Sequence, residues 1–266
     1  MKAAQPTPRV RILGGEVDVI TPGEMLRLVD VLASAGGSAV VANQNSHSLY
    51  LQRRNPVLRS FFEDADLIQI DSTPMIAWGR LLGLPISRSN RSTYLDWRGD
   101  FWELANERGW RVFYLGGAPG VAETAAQRLS LQWPNVVFGC RDGYFDASAG
   151  SRENGKVLSQ IAAFKPDILF VGMGMPRQEE WIQTNRTSLT RGVVFSIGAA
   201  FDYEAGVQRT PPRWTGRLGV EWLFRLAAQP RRLAQRYLVE PWFLLPQALS
   251  DVGVALAARR RLANAG

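Results

Sequence analysis

The sequence predicts an α/β protein: a Rossmann-like, mostly parallel sheet covered by helices on both faces, followed by a helical, basic C-terminal appendage. Three observations lead there. Strand-like and helix-like patterns alternate through most of residues 1–208. The strand-like runs are short and nearly continuously apolar, which suits strands buried on both faces of a parallel sheet. The charge is split: residues 209–266 hold ten arginines, no lysine and three acids, +7 in all, whereas residues 1–208 hold 21 basic and 21 acidic groups. The shift in composition sets the expected boundary between a 1–208 core and a 209–266 appendage.

Residues 11–20 read as a strand or strand pair with a Gly-Gly turn. Thr21-Pro22-Gly23-Glu24 opens a helix, with Thr21 as N-cap, proline in the first turn and Glu24 placed to close a capping box. That helix should stop at Gly36-Gly37. Residues 38–42 form a buried strand and 43–53 a helix. A strand over 67–70 ends at Asp71, and residues 75–82 and 93–108 are helical. A strand over 111–115 runs into Gly116-Gly117, and a helix follows from Pro119 to about Gln132. Strands over 136–140, 167–172 and 193–197 alternate with helices over 153–164 and 177–184. No internal repeat or low-complexity segment interrupts this order.

A chain of 266 residues can bury one substantial core. Its single cysteine, Cys140, excludes an internal disulfide and a cysteine-based metal site. Its single histidine, His47, excludes a histidine-cluster metal site. The longest apolar runs fall well short of the ~18–20 residues that span a bilayer. The polar, proline-bearing start is unlike a signal peptide. The body is therefore expected in the cytoplasm, touching a membrane from outside at most.

Ligands of parallel sheets bind beyond the carboxyl ends of the strands, which selects five loops. Asn43-Gln44-Asn45 is one. Asp71 heads another, where partial desolvation suits a general base, or where it serves as the N-cap of the next helix. Gly116-Gly117-Ala118-Pro119-Gly120 offers bare amides at a helix start, either a phosphate site or merely a tight turn. Gly172-x-Gly174 begins like a dinucleotide fingerprint, but Arg177 stands where the third glycine belongs, which argues against a nicotinamide enzyme. Gln178 either hydrogen-bonds a sugar or phosphate or is a solvated helix start. Asp202 and Glu204 could each hold the hydroxyls of a ribose. Asp64-Ala65-Asp66 has metal-binding spacing but precedes its strand, so it should face the wrong end of the sheet. No other acidic cluster resembles a magnesium site, and metal-independent chemistry is expected. His47 reads as a structural histidine or as an acceptor-site residue.

In the appendage, Trp222, Leu226, Leu233 and Tyr237 lie within about 60° of one another at 100° per residue, with Arg225, Arg232 and Arg236 beside that stripe. This is the layout of an interfacial helix on an anionic, greasy surface, or of a helix packing its stripe on the core. Pro230 should kink or split it. A second candidate segment, residues 242–262, ends in Arg259-Arg260-Arg261. Arginine forks bind phosphate oxygens bidentately.

Taken together, these loops resemble the WecG/TagA/CpsF family of bacterial glycosyltransferases. The segment from Pro166 to Ile182, PDILFVGMGMPRQEEWI, is similar almost position by position to the family's PD-hydrophobic-VG-x-G-x-P-[KR]-Q-E-x-W-I block. Residues 198–206 (GAAFDYEAG), Arg209-x-Pro-x-x-Trp214, residues 219–225 (GVEWLFR) and residues 230–233 (PRRL) resemble the rest of the signature. Residues 115–120 (LGGAPG) and 142–145 (DGYF) fit as well. The similarity covers roughly residues 10–245.

The resemblance implies a UDP-sugar-dependent, inverting transferase that needs no metal or other cofactor. Its acceptor would be a saccharide on a polyprenyl diphosphate, met at the cytoplasmic face of the inner membrane. Carried over residue by residue, Asp71 becomes the catalytic base, with Gln178 and Asn43 in the active site. Asn45, Gly116, Gly117, Ala118, Tyr144, Gly172, Gly174 and Asp202 go to the donor. Arg225, Arg232, Arg236 and Trp222 go to the acceptor and the anionic membrane surface. No nucleic-acid partner is implied, and a homo-oligomer is left open. The chain departs from the family's usual Thr-x-Asn at Asn43-Gln44-Asn45, and from its frequent Asp-Gly at Asp71-Ser72. The Arg-x-x-Gly-x-Asp pattern that often follows is missing. These departures resemble the exopolysaccharide branch more than the teichoic-acid branch. Two other classes compete: a nucleic-acid-binding protein with a basic tail, for which the strand-end loops offer no reader module, and a non-catalytic membrane-associated protein, if the changes at Asn43 and Ser72 disable the site.

Overall fold

The computed structural model describes residues 8–210, 212, 215, 220–228 and 230–264. The chain opens with an antiparallel hairpin, β1 (Arg9–Ile12) and β2 (Gly15–Asp18). A six-stranded sheet follows, made of β3 (Ser38–Gln44), β4 (Leu67–Ile70), β5 (Arg111–Gly116), β6 (Val137–Arg141), β7 (Ile168–Gly172) and β8 (Gly192–Ser196). Its order is β4-β3-β8-β7-β5-β6, with every pairing parallel. This is the expected Rossmann-like α/β architecture.

Helices cover both faces. On one lie α1 (Pro22–Ser34), α5 (Tyr94–Arg108), α6 (Val121–Gln132) and α9 (Ala200–Glu204). There Trp97, Phe101 and Trp102 pack against Phe170 and Phe195 of the two central strands. On the other lie α2 (Ser46–Gln52), α3 (Pro56–Asp64), α4 (Thr73–Leu82), α7 (Arg152–Phe164) and α8 (Arg177–Thr184). All five residues of β7 and of β8 are buried, so these strands carry no polar face. The hairpin is fastened through Asp18, which takes the Arg9 guanidinium at 2.9 Å and the Ile68 amide at 2.7 Å.

The helix starts follow from their caps. Thr21 and Glu24 form the expected capping box. Some details differ from expectation. The helix expected over 43–53 begins only at Ser46, because Asn43 and Gln44 stay in β3, in register with Gln69 and Ile70, and Asn45 supplies the cap. Helix α3 was not anticipated, although Asn55 as N-cap before Pro56 is a helix start written in the sequence. Helix α6 begins at Val121, because Gly120 takes a left-handed conformation (φ +85°).

Asp64 and Asp66 lie at the amino end of the sheet, away from the loops that follow the strands. Asp64 accepts from Gln183 at 2.7 Å; Asp66 accepts from the Val40 amide at 2.9 Å and pairs with Arg186 at 3.1 Å.

Beyond residue 208 the chain forms α10 (Glu221–Ala228), α11 (Pro230–Ala234), a π turn (Gln235–Val239), a 3₁₀ turn (Glu240–Leu244) and α12 (Leu245–Asn264). The expected division of the stripe near Pro230 turns on residue 229, which lies outside the described residues. The segment docks on the hairpin, α2 and α4. Leu244 enters the second core layer. Phe243 meets the Tyr50 ring at 5.5 Å, and Arg53 donates to the Phe243 carbonyl. Asp251 accepts from the Leu13 amide at 2.8 Å and the Trp78 indole at 3.1 Å. Its outer side carries exposed apolar groups, among them Trp242, Leu249 and Val254. No described helix is long and apolar enough to cross a membrane.

Asp251→Ala should leave two donors without their acceptor, at a cost of about 1–3 kcal/mol. If docking is a local equilibrium, dilute protease should remove the C-terminal segment roughly tenfold faster or more. An unchanged cleavage rate would show that this aspartate does not hold the segment.

Candidate active site

The connections leaving β3 and β7 pass to one face of the sheet, and those leaving β5 and β8 to the other. Neighbouring strands therefore part company at their carboxyl ends and open a crevice there. A cavity of about 780 Å³ occupies that crevice. Asn43, Asn45, Asp71, Gly117, Ala118, Tyr144, Gly172, Gly174, Gln178, Asp202 and Arg236 all line it.

Asp71 follows β4, half-buried. The capping alternative fails, because Ser72 caps α4 by accepting the Met75 amide at 3.4 Å. Ser72, not Asp71, is thus the N-cap of α4. Asn43 makes a long contact to it, Nδ2 to Oδ2 at 3.5 Å. The Asn43 side-chain oxygen Oδ1 is buried with no hydrogen-bond partner among the described residues. Asn45 spends its side-chain oxygen on capping α2, accepting the Ser48 amide at 3.0 Å.

On the glycine side, the loops touch. A Cβ on Gly116 would stand 2.4 Å from the Gly172 carbonyl oxygen, and one on Gly172 would stand 2.4 Å from that of Gly198. Gly116 is therefore a packing residue and does not line the cavity; Gly117 and Ala118 do. Tyr144 is largely exposed at the rim. Arg177 donates to the Phe145 carbonyl at 2.7 Å, tying the loop after β6 to the start of α8.

Gln178 corrects the reading of a solvated helix start. It is buried, its oxygen accepting the Gly174 amide at 3.2 Å and the Gly198 amide at 3.1 Å. The side-chain orientation is thereby fixed, and the amide nitrogen donates to Glu179 at 2.6 Å. Glu179 escaped the sequence analysis. It is wholly buried, and its second carboxyl oxygen has no hydrogen-bond partner among the described residues. The available signal was helical spacing, since Glu179 shares a face with buried Ile182 three residues on. Burial pushes its carboxyl up to about 8, against the hydrogen bond from Gln178 that lowers it.

Asp202 lies in the first turn of α9, half-buried; the expected loop is helical there. Beneath it Phe201 stacks on Tyr114, ring centres 3.8 Å apart. Burial, and after it the charge of Asp202, raise the Tyr114 phenol above its ordinary value. Glu204, the other candidate for a ribose, is already engaged by the Tyr94 hydroxyl at 2.8 Å and Arg98 at 3.1 Å.

The C-terminal segment completes the cavity wall with Leu233, Gln235, Arg236, Tyr237 and Glu240. Trp222 is not part of that wall; its ring rests on Tyr237 at 5.9 Å. The side chains of Arg225 and Arg232 lie outside the described residues. His47 closes the same side, its Nδ1 2.5 Å from Glu240.

A cavity with a carboxylate on one wall, glycine loops on another and a basic cap suits group transfer from an anionic donor. The sequence model of the glycosyl transferase WecG/TagA/CpsF family matches residues 10–255. The chain belongs to that family and is a glycosyltransferase. It is similar to the N-acetylglucosaminyldiphosphoundecaprenol N-acetyl-beta-D-mannosaminyltransferases of Staphylococcus aureus strains NCTC 8325 / PS 47, COL and N315. Each is 28% identical over 239 residues, spanning 86% of this chain and 88% of the relative.

Unfolded Glu179 should ionise near its ordinary 4.5, folded Glu179 only near about 8. The folded state is thus progressively penalised as pH rises between those values. Glu179→Gln should therefore gain melting temperature over wild type, by little near pH 4.5 and by most near pH 8. A gap independent of pH would show that the buried carboxyl titrates normally.

Proposed function

We propose that this glycosyltransferase moves a sugar from a UDP-sugar to a saccharide carried on a polyprenyl diphosphate, in the synthesis of a cell-surface polysaccharide of exopolysaccharide type. The observation that carries this reading is the position of Asp71: a half-buried carboxylate at the carboxyl end of β4, on a cavity whose other walls are glycine loops and a basic segment. The acceptor class is suggested by the lipid diphosphate in the relatives' name.

Donor diphosphate would sit by the Ala118 amide near the start of α6, since the Gly117 amide is given to the Gly172 carbonyl at 3.2 Å, with the ribose at Asp202. Asp71 takes the proton of the acceptor hydroxyl as its oxygen attacks the anomeric carbon. The bond from that carbon to the UDP oxygen breaks, and its electron pair leaves with UDP. Attack from the opposite face inverts the centre, so an α-linked donor gives a β-linkage. Charge growing on UDP would meet helix amides and Arg236 instead of a divalent cation. The acid pair Asp64 and Asp66, engaged at the far end of the sheet, could not serve such a cation.

In this reading residues 1–208 form the catalytic core and 209–266 an appendage that rests on the cytoplasmic face of the inner membrane. Exposed Trp242, Leu249 and Val254, together with the arginines, suit an anionic lipid surface.

Asp71→Ala should lower kcat by about 10²–10⁴ while UDP still binds, as calorimetry would report. Retained turnover would remove the base assignment. EDTA should leave the rate unchanged; inhibition reversed by magnesium would refute the metal-free mechanism.

A further inference from the structure

His47 and Glu240 are 193 residues apart in the chain and meet on the cavity wall. Helix α2 supplies the imidazole, and the 3₁₀ turn of the docked segment supplies the acid. Glu240 is buried. Its Oε2 stands 2.5 Å from Nδ1, which leaves Nε2 with no partner among the described residues. A carboxyl group on Nδ1 holds the Nδ1–H tautomer, in which Nε2 carries a lone pair and accepts a hydrogen bond.

The position of this nitrogen relative to the chemistry is set by the neighbouring serines. Ser46, which precedes His47, lies 3.4 Å from Ser72, which follows Asp71, hydroxyl to hydroxyl. His47 therefore stands on the Asp71 side of the cavity, where the attacking hydroxyl would come in the proposed reaction. We propose that His47, held in its Nδ1–H tautomer by Glu240, accepts a hydrogen bond through Nε2 from a hydroxyl of the acceptor saccharide. Glu240 is the positioning residue, so docking of the C-terminal segment is read directly at the acceptor subsite.

The groups facing the imidazole are Glu240 and Arg236. Burial first, and then the Arg236 charge, hold the ring below its ordinary pKa and outweigh Glu240. The ring is thus neutral at neutral pH. An acceptor role requires this, because imidazolium has no lone pair to offer.

The inference rests on the proposed glycosyl transfer, and the test separates the two. His47 is the only histidine, so the untagged, ¹⁵N-labelled chain gives a single imidazole spin system. The first arm needs no substrate: the Nδ1–H tautomer is expected at neutral pH, with a titration midpoint below about 6.5. Glu240→Ala should move the ring to the Nε2–H tautomer, whereas Glu240→Gln, which can still accept from Nδ1–H, should keep it. An Nε2–H tautomer in the wild-type chain overturns the proposal whatever the enzyme transfers.

The second arm uses N-acetylglucosaminyl diphosphate on a short polyprenyl chain as the probe. Saturating probe should shift the Nε2 resonance, and an unmoved resonance on a chain that binds the probe overturns the proposal. With turnover established, His47→Ala and Glu240→Ala should each raise the acceptor KM about tenfold, the worth of one hydrogen bond. The double variant should raise it no further, with the donor KM unchanged. A rise in donor KM instead would place His47 on the wrong substrate. If no lipid-linked acceptor binds or turns over at all, the functional reading fails, while the tautomer result stands on its own.

Discussion

Three backbone segments share a space too narrow for a side chain, and the site depends on that. Gly116, Gly172 and Gly198 end or follow three adjacent strands; a Cβ on Gly116 would collide with the Gly172 carbonyl, and one on Gly172 with that of Gly198. Because the loops cannot spread, one glutamine reaches two of them. Gln178 accepts the amides of both Gly174 and Gly198, and its orientation is then no longer free. The carboxyl of Glu179 follows inward, held where water cannot stabilise its charge. One buried acid is the consequence of one crowded turn, and its desolvation is the cost of keeping the turn rigid.

Much of this was written locally in the chain. The buried strands announce themselves by apolar runs, and the caps at Thr21 and Asn55 are residues with one good use at those positions. The carboxyl-end rule brought Asn43, Asp71, Gly117, Gln178 and Asp202 to one cavity before any coordinates did. What escaped is what depends on a second segment. Asn43 and Gln44 remain strand because β4 pairs with them, 26 residues later in register. Glu204 looked available until Tyr94 and Arg98, over 100 residues away, occupied it. Gly116 looked like a ligand contact because glycine signals both close approach to a phosphate and close approach to backbone.

The C-terminal segment shows the same limit at larger scale. Its charge and stripe were plain in the sequence, but its docking partners were not. Asp251 meets Leu13 across 238 residues, and no periodicity reports such a contact. Charge alone suggested a tail seeking an external surface. The contacts show a segment with two sides, one fastened to the hairpin, α2 and α4, the other apolar and exposed.

Leu233, Arg236 and Glu240 wall a cavity whose floor was laid down by residues 43 to 202. A ribosome builds the chain in that same direction. The floor can therefore fold around its strands while the last wall has yet to be made. The pocket stays open on one side until residues 233–240 have been added.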